Sequence, residues 1–370
     1  MAVLSLTPAF SLLAAFGRVS PTQPLRTFIR TTGYKLRPPK PVAHSPRVRT
    51  AQEAVLGAGR AGPHQMATLL CEQRKGPTPT IVLGGFVPDA TEQVFLLRGF
   101  LLKKGSVYYL NYPRQGFSAE LLFAQLDDLV EELARRHGTP PVIFAVSFGG
   151  GLLLEWLRRV RHAGRHLELR GVVLVSPISC IEDLLAPGEA KPSTLLGRAV
   201  KPYLEGTPPD ARQIEKSRTI FARMFEAGAQ NKAALATLMS PDELRHLHKS
   251  VMETIAGVDA RGACERMAAL RQFQPPSSYF SQALLPLTSA PALILFAENE
   301  GAVLAAHAPT RFAMEAAHRA YFPNSLCKTV FNHRGSPVQH ASLIFHCFNF
   351  LIPISRFYRE LKTGKLLRAA

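Results

Sequence analysis

The chain has 370 residues, of which 46% are hydrophobic and 19% are charged, and its formal net charge is +17. This composition predicts a globular protein with a large core, built as one domain with an insertion or as two domains. No stretch reaches the roughly 18–20 unbroken apolar residues of a membrane-spanning helix, which argues against a polytopic membrane protein. The five cysteines are scattered and lack C-x-x-C spacing, so we expect neither a disulfide framework nor a metal site, and no cofactor.

The N-terminal segment, residues 1–52, carries eight lysines or arginines and no acidic residue. Residues 1–17 are apolar and uncharged, without the positive charge that precedes the apolar part of a signal peptide. The segment fits an organelle transit peptide, a surface anchor or an arm packed on the domain. We expect a cytoplasmic protein, with attachment to a membrane surface and organelle targeting as open alternatives.

From about residue 79, strand-like and helix-like segments alternate along the chain. The predicted strands are 80–83, 106–111, 142–147 and 169–176. The predicted helices between them are 92–103, 119–137 and 148–162. Because strands that alternate with helices pair in parallel through right-handed crossovers, the pattern predicts an α/β fold with a mostly parallel sheet.

The alternation stops for about a hundred residues after residue 176 and then resumes. The predicted helices of this interruption are 211–228, 231–238, 241–256 and 260–271. Beyond it we predict strands at 292–296 and 328–331, with helices near 306–320 and 341–361. The chain therefore divides into an N-terminal segment (1–52), a first core part (53–180), a helical insertion (181–288) and a second core part (289–370).

Residues 142–151 are the most informative stretch, because a short apolar strand ends at Ser147 and passes through three glycines into a helix-like segment. This is the layout of a nucleophile elbow, G-x-S-x-G, with Ala145 in place of the first glycine. Such a turn exposes the serine hydroxyl, and the N–H of Phe148 then faces an oxygen that gains negative charge. The same residues also fit a Gly-rich connection without a catalytic role.

A second glycine turn, Gly84-Gly85-Phe86, follows the first regular strand. In open parallel sheets, binding and catalytic groups collect where the carboxyl ends of the strands meet. Backbone N–H groups of this turn are therefore candidates for the other half of an oxyanion hole, with Phe86 preferred and Gly85 as a further candidate. A tight turn that simply needs glycine is the alternative.

A serine hydroxyl needs a neighbouring base, and histidine suits this role near neutral pH. Two candidates for this base stand after the final predicted strand, His333 and His340. We favour His340, which lies beyond a Gly-Ser-Pro loop and is expected to begin the last helix. His333 is the reserve, because the charge of the adjacent Arg334 opposes protonation of its imidazole.

The acid that orients the base is expected in the loop after the preceding strand. No aspartate follows Asp259, so an acid in this loop must be a glutamate. Glu300 is the preferred candidate and Glu298 the second. Asp183, in the loop after the strand at 169–176, is the reserve.

With these motifs, the sequence resembles the α/β-hydrolase superfamily over about residues 79–362. The matching motifs are Gly84-Gly85, the Gly116-Phe-Ser118 turn, the elbow around Ser147, the loop Ala297–Val303 and the base position at His340. Departures are Ala145 for glycine, Glu300 for the commoner aspartate and no glycine directly before His340. The resemblance implies an eight-stranded, mostly parallel sheet with residues 181–288 as a helical cap over the active site.

Two functional hypotheses follow. The first is a serine hydrolase of small carboxylic esters, similar to an esterase or lipase, with acyltransferase or thioesterase activity as variants. Apolar residues of the insertion are candidates for an acyl pocket, although apolar residues at helical spacing usually serve packing; they are Leu195, Leu196, Phe221, Phe225, Leu284 and Leu285.

The second hypothesis is a hydrolase-fold protein without activity that binds membranes or anionic partners, as the +17 charge suggests. A helix-like run of arginines supports it, and the run comprises Arg158, Arg159, Arg161 and Arg165. These charges also fit a solvated helix face. They form no nucleic-acid motif, so specific binding to nucleic acid is not expected.

Overall fold

The computed structural model of the chain describes residues 38–44, 49–186, 189, 191–204, 208–228, 239–333 and 335–363. At its centre lies an eight-stranded sheet in the order β1-β2-β4-β3-β5-β6-β7-β8. The strands are β1 Lys40–Pro41, β2 Thr68–Glu72, β3 Thr80–Leu83, β4 Val107–Asn111, β5 Val142–Val146, β6 Gly171–Val175, β7 Ala292–Ala297 and β8 Ser325–Val330.

The pairing of these strands is mixed. Strand β2 pairs antiparallel with β1 and β4, and the remaining neighbours pair in parallel. The prediction of an α/β fold with a mostly parallel sheet is confirmed. The central strands β3, β5, β6 and β7 are buried along their whole length. Strands covered on both faces are continuous apolar runs, which is why these segments carry so little polar sequence.

Helices pack against both faces of the sheet, and further helices lie between β6 and β7 in the described residues. The described helices are α1 Thr50–Gly57, α2 Ala90–Gln93, α3 Arg98–Leu102, α4 Ala119–His137, α5 Phe148–His162, α6 Leu195–Val200, α7 Ala211–Gly228, α8 Pro241–Gly257, α9 Ala260–Gln272, α10 Ser278–Ser281, α11 Pro309–Tyr321 and α12 Cys347–Thr363. Successive side chains along each strand point to opposite faces of the sheet and so belong to two separate cores. One core includes residues of α4 and α5, and the other includes residues of α3 and α12.

Helix α5, which begins directly after Ser147, packs into the first core. Its residues Trp156 and Leu153 are almost fully buried, and the indole Nε1–H of Trp156 donates to Asp127 at 2.9 Å. Gly151, in its first turn, faces the loop after β6 so closely that a Cβ atom would overlap the carbonyl oxygen of Ile178. The glycines that follow Phe148 at the start of α5 let the helix pack directly against that loop.

Two predicted helices have different bounds in the structure. The predicted helix 92–103 is split into α2 and α3, because Val94 and Leu97 turn inward and are fully buried between them. The last helix begins at Cys347 rather than at His340. Ala341 has a φ of 49°, which a helix does not accommodate, so residues 341–346 form turns.

Other bounds also differ. Strand β8 begins at Ser325 rather than residue 328, and β1 and β2 were not predicted. Strand β2, which pairs antiparallel with β1 and β4, lies second from the edge of the sheet and is only half-buried. It therefore lacks the apolar run that marks the central strands. The N-terminal residues 1–37 and the predicted helix 231–238 lie outside the described residues. Within the described part of the chain, no helix combines the length and apolar character needed to cross a bilayer.

We expect Gly151→Ala to lower the free energy of unfolding by about 3 kcal/mol, because the methyl group would force α5 away from Ile178. Gly57→Ala, at the exposed end of α1 with open space around it, is the matched control and should be neutral or slightly stabilising. Urea denaturation of both variants measures the difference. Equal midpoints for the two variants would contradict this account of the helix start.

Candidate active site

Ser147 lies between the end of β5 and the start of α5, in a backbone conformation with φ 51° and ψ −116°. Its N–H donates to Val175 on β6 at 2.8 Å, and its carbonyl accepts from Ile178 at 3.1 Å. A Cβ atom on Gly149 would overlap the carbonyl oxygen of Gly84, so the elbow needs glycine at this position. Ala145 instead points into the first core, where a methyl group is accommodated.

His340 contacts Ser147 from the loop that follows β8. Its Nε2 lies 2.9 Å from Oγ of Ser147, and its Nδ1 contacts Oε2 of Glu300. The positive φ of Ala341 turns the chain directly after the histidine, and the N–H of Ala341 donates to Oγ of Ser176 at 3.3 Å. The imidazole is therefore held between a hydroxyl and a carboxylate.

Glu300 is 2% exposed and lies in the loop after β7. Its Oε1 accepts hydrogen bonds from the N–H of Ala297 at 2.6 Å and from the hydroxyl of Ser176 at 2.7 Å. Burial alone would raise the pKa of this carboxyl, but the electrostatic interaction with His340 and these hydrogen bonds outweigh it, so the pKa of Glu300 lies below its ordinary value. The site thus favours the ionised carboxylate.

Ser176, at the end of β6, is a site residue that sequence reasoning missed. It is fully buried, has a φ of 46°, and its Oγ bridges Glu300 and the backbone after His340. It joins the acid loop to the base loop. The sequence marks this residue only as a single serine at the end of a strand before Pro177, and that pattern is too common to indicate a functional residue.

The three reserve candidates lie outside this cluster. Glu298 accepts from the N–H groups of Asn332 and Val338, at 3.1 and 2.7 Å, and so shapes the loop that carries His340. Asp183 is fully buried and accepts from Thr310, including its N–H at 2.9 Å. His333 is exposed, and its ring stacks on Phe331 at 6.0 Å.

The N–H groups predicted to bind an oxyanion, those of Phe148 and Phe86, belong to the two segments that adjoin Ser147. Phe148 begins α5 directly after Ser147, and a Cβ atom on Gly85 would lie 3.4 Å from Cβ of Ser147. Neither of these two N–H groups has an acceptor within the described part of the chain. The N–H of Gly85, also a candidate from sequence, instead donates to Oε1 of Gln93 at 2.7 Å.

A cavity of about 140 Å³ opens beside Ser147 and His340. Its walls are mainly apolar and come from both the core and the segment between β6 and β7. Leu196, Phe221 and Phe225 line it, as expected for the predicted acyl pocket. Leu195 is 44% exposed, and Leu284 and Leu285 pack in or against the first core instead.

The arginines of the predicted basic run are largely ion-paired. Arg158 and Arg159 both bond to Glu155 at 2.7 Å, and Arg165 bonds to Asp127 at 2.8 Å. Helix α5 ends at His162, so Arg165 lies beyond it. The pairs neutralise part of the charge of the run. Among the described residues, no group of three or more His, Cys, Asp or Glu is arranged to hold a metal ion.

Comparison with known proteins identifies the architecture. No family model and no curated protein matches the sequence. Solved structures do match: the esterase RhEst1 from Rhodococcus sp. ECU1013 has 13% identity and a TM-score of 0.53, over 80% of this chain and 96% of that one. The chain has the α/β-hydrolase fold.

Two further solved structures with the α/β-hydrolase fold are similar over most of their length. A thermophilic esterase from Thermogutta terrifontis has 16% identity and a TM-score of 0.51, over 80% of this chain and 94% of that one. A bromoperoxidase from Bacillus anthracis has 17% identity and a TM-score of 0.53, over 79% of this chain and 96% of that one. Because several activities occur on one fold, the site itself must carry the functional argument.

We expect Ser176→Ala to raise the pKa of Glu300, because the carboxylate loses the hydrogen bond from Oγ of Ser176. Since the pKa of Glu300 is depressed in the folded state, its ionisation stabilises the fold above its ordinary pKa. That contribution is lost as the pH falls through the folded-state pKa, and the variant should lose it at higher pH than the wild type.

Carboxyl ¹³C NMR titration of Glu300 checks this expectation. The matched control is Ser179→Ala, another buried serine of the same loop, whose hydroxyl contacts Thr310 rather than Glu300. The control should leave the titration of Glu300 unchanged. Identical titration curves for Ser176→Ala and the wild type would contradict the expectation that the hydrogen bond from Ser176 lowers the pKa of Glu300.

Proposed function

We propose that this chain is a serine hydrolase that cleaves small carboxylic esters. The observation that carries the proposal is the contact series Ser147–His340–Glu300, with Nε2 of the histidine 2.9 Å from the serine hydroxyl, beside an apolar cavity. A nucleophile, a base and an orienting acid in hydrogen-bonded order are the requirements for acyl transfer. The esterases among the similar structures are consistent with this substrate class.

In the proposed mechanism, Nε2 of His340 accepts the proton of Ser147 while Oγ attacks the acyl carbonyl carbon. The carbonyl π electrons move to oxygen, and the N–H groups of Phe148 and Phe86 donate to the resulting oxyanion. Glu300 stabilises the imidazolium that forms. Collapse of the intermediate breaks the ester C–O bond, and His340 protonates the departing alcohol.

Water then attacks the acyl-serine with His340 as base, which releases the carboxylic acid and restores the hydroxyl. In this proposal the backbone donors are held by the fold, because Phe148 begins α5 and Gly85 of the other turn approaches the serine. Preorganised donors of this kind contribute about 3–4 kcal/mol each to acyl transfer.

The cavity favours a small acyl group. Its volume of about 140 Å³ is close to that of an apolar cavity that binds benzene, about 150 Å³. The inserted segment acts in the proposal as a cap, because α7 and α8 supply part of the apolar wall. These residues include Phe221, Met224, Phe225, Val251 and Ile255.

We expect a fluorophosphonate probe to label the wild-type protein and not Ser147→Ala, since the serine is the proposed nucleophile. His340→Ala should reduce labelling and ester cleavage by about 10³-fold or more, because the serine loses its base. His333→Ala is the matched control and should retain most of the activity, since its exposed ring stacks on Phe331.

Gel fluorescence and p-nitrophenyl butyrate hydrolysis provide the two measurements. A folded wild-type protein that stays unlabelled and inactive would overturn the enzyme hypothesis in favour of the binding protein. Loss of activity in His333→Ala but not in His340→Ala would overturn the assignment of the base.

We expect kcat/KM for p-nitrophenyl esters to be highest at acyl chains of about four to six carbons and at least ~10-fold lower at about twelve, because of the cavity volume. Phe225→Ala should enlarge the cavity and shift the optimum towards longer chains. Phe280→Ala, an exposed phenylalanine that does not line the cavity, is the control. An optimum at twelve carbons in the wild type would contradict the proposed acyl site.

A further inference from the structure

Arg266, in the inserted helix α9, is only 2% exposed. Its guanidinium donates to two backbone carbonyls, Phe86 at 2.5 Å and Pro113 at 3.0 Å, rather than to a carboxylate. Its Nε–H has no hydrogen-bond partner among the described residues. Burying a charge that is hydrogen-bonded to no carboxylate costs several kcal/mol, of which the nearby charge of Asp89 offsets a part.

The surroundings of Arg266 keep the guanidinium charged and fixed. It lies over the rings of Phe86 and Tyr112, at 5.4 and 5.5 Å from the ring centroids. Burial lowers the pKa of Arg266 to about 10, which still leaves the group protonated at neutral pH. A planar, charged donor packed against two rings has a defined position and a defined direction for its hydrogen bonds.

These hydrogen bonds act on the turn that carries the proposed oxyanion donor. The peptide before the donor, Gly84–Gly85, is held at both ends: the hydroxyl of Tyr112 donates to Gly84 at 2.9 Å, and the N–H of Gly85 donates to Gln93 at 2.7 Å. The peptide after it, Phe86–Val87, is held by Arg266. Between these two anchored peptides lies the one that contains the N–H of Phe86.

We propose that Arg266, together with Gln93, is a positioning residue for the oxyanion hole, fixing the two peptides on either side of the N–H of Phe86. The inference rests on the proposed function and extends it. The inserted segment then contributes to catalysis as well as to the pocket wall, since α9 supplies the anchor. Misplacing a catalytic donor by about 1 Å can reduce the rate about 100-fold.

Arg266→Lys and Arg266→Met test the role of the guanidinium. Lysine retains the charge but has no planar fork for two carbonyls, and methionine retains neither. The matched controls are Arg271→Lys and Arg271→Met, on the same helix, where the guanidinium donates to the carbonyl of Leu204. Gln93→Met tests the other anchor without removing a buried charge.

The readouts are kcat and KM for p-nitrophenyl butyrate, the inhibition constant of butylboronic acid, which forms a tetrahedral oxyanion on serine, and the melting temperature. We expect kcat to fall about 10- to 100-fold in Arg266→Lys and further in Arg266→Met, with KM within about twofold. Boronic acid binding should weaken in proportion to kcat. Gln93→Met should also lower kcat, and the Arg271 variants should not.

A folded Arg266→Lys protein with wild-type kcat and boronic acid affinity would overturn the inference, as would a change confined to KM. If the Arg266 variants do not fold, an unchanged kcat in Gln93→Met would overturn it. A wild type without Ser147-dependent cleavage would overturn the proposed function, and the inference with it. Wild-type cleavage with unaltered Arg266 and Gln93 variants would overturn the inference alone.

Discussion

The backbone conformation of Ser147 is the constraint on which the arrangement of the site depends. A positive φ in a residue other than glycine is destabilising by about 1–3 kcal/mol and persists only where the surroundings determine it. Here its N–H is bonded to β6 and its carbonyl to the loop beyond β6. The close approach of Gly149 and Gly151 to neighbouring carbonyls completes the restraint. The serine is therefore held in place by strand pairing and helix packing.

The sequence predicts the parts of the structure that depend on local patterns. Apolar runs identify the central strands because these strands are buried on both faces, and the elbow is recognisable because its steric demands are local. The strand β2 is half-buried and offers no such run. The turn at Ala341 includes a hydrogen bond to Ser176, far away in sequence, which no local pattern reveals, so the predicted helix start at His340 is wrong.

The candidate site shows the same division. Ser147, His340 and Glu300 can be proposed from motif order, and the structure brings their side chains together. Ser176, Gln93 and Arg266 carry no motif, because their contacts are with backbone atoms or with a carboxylate contributed by a different segment. Gly85 shows the converse case: its N–H fits a local motif but is occupied by Gln93. Sequence patterns therefore identify the reactive groups of a site more easily than they identify the residues that hold those groups in place.

The separation of the site residues along the chain has a consequence for folding kinetics. Ser147 and His340 are 193 positions apart, and the loop of His340 follows β8, which pairs with β7. Contacts between such distant segments require closure of long loops and are slow to form. A folding intermediate with β3 to β6 already paired would contain the strained serine without its imidazole partner. Recovery of the Ser147–His340 contact during refolding would therefore report completion of the native topology, later than the recovery of helical structure.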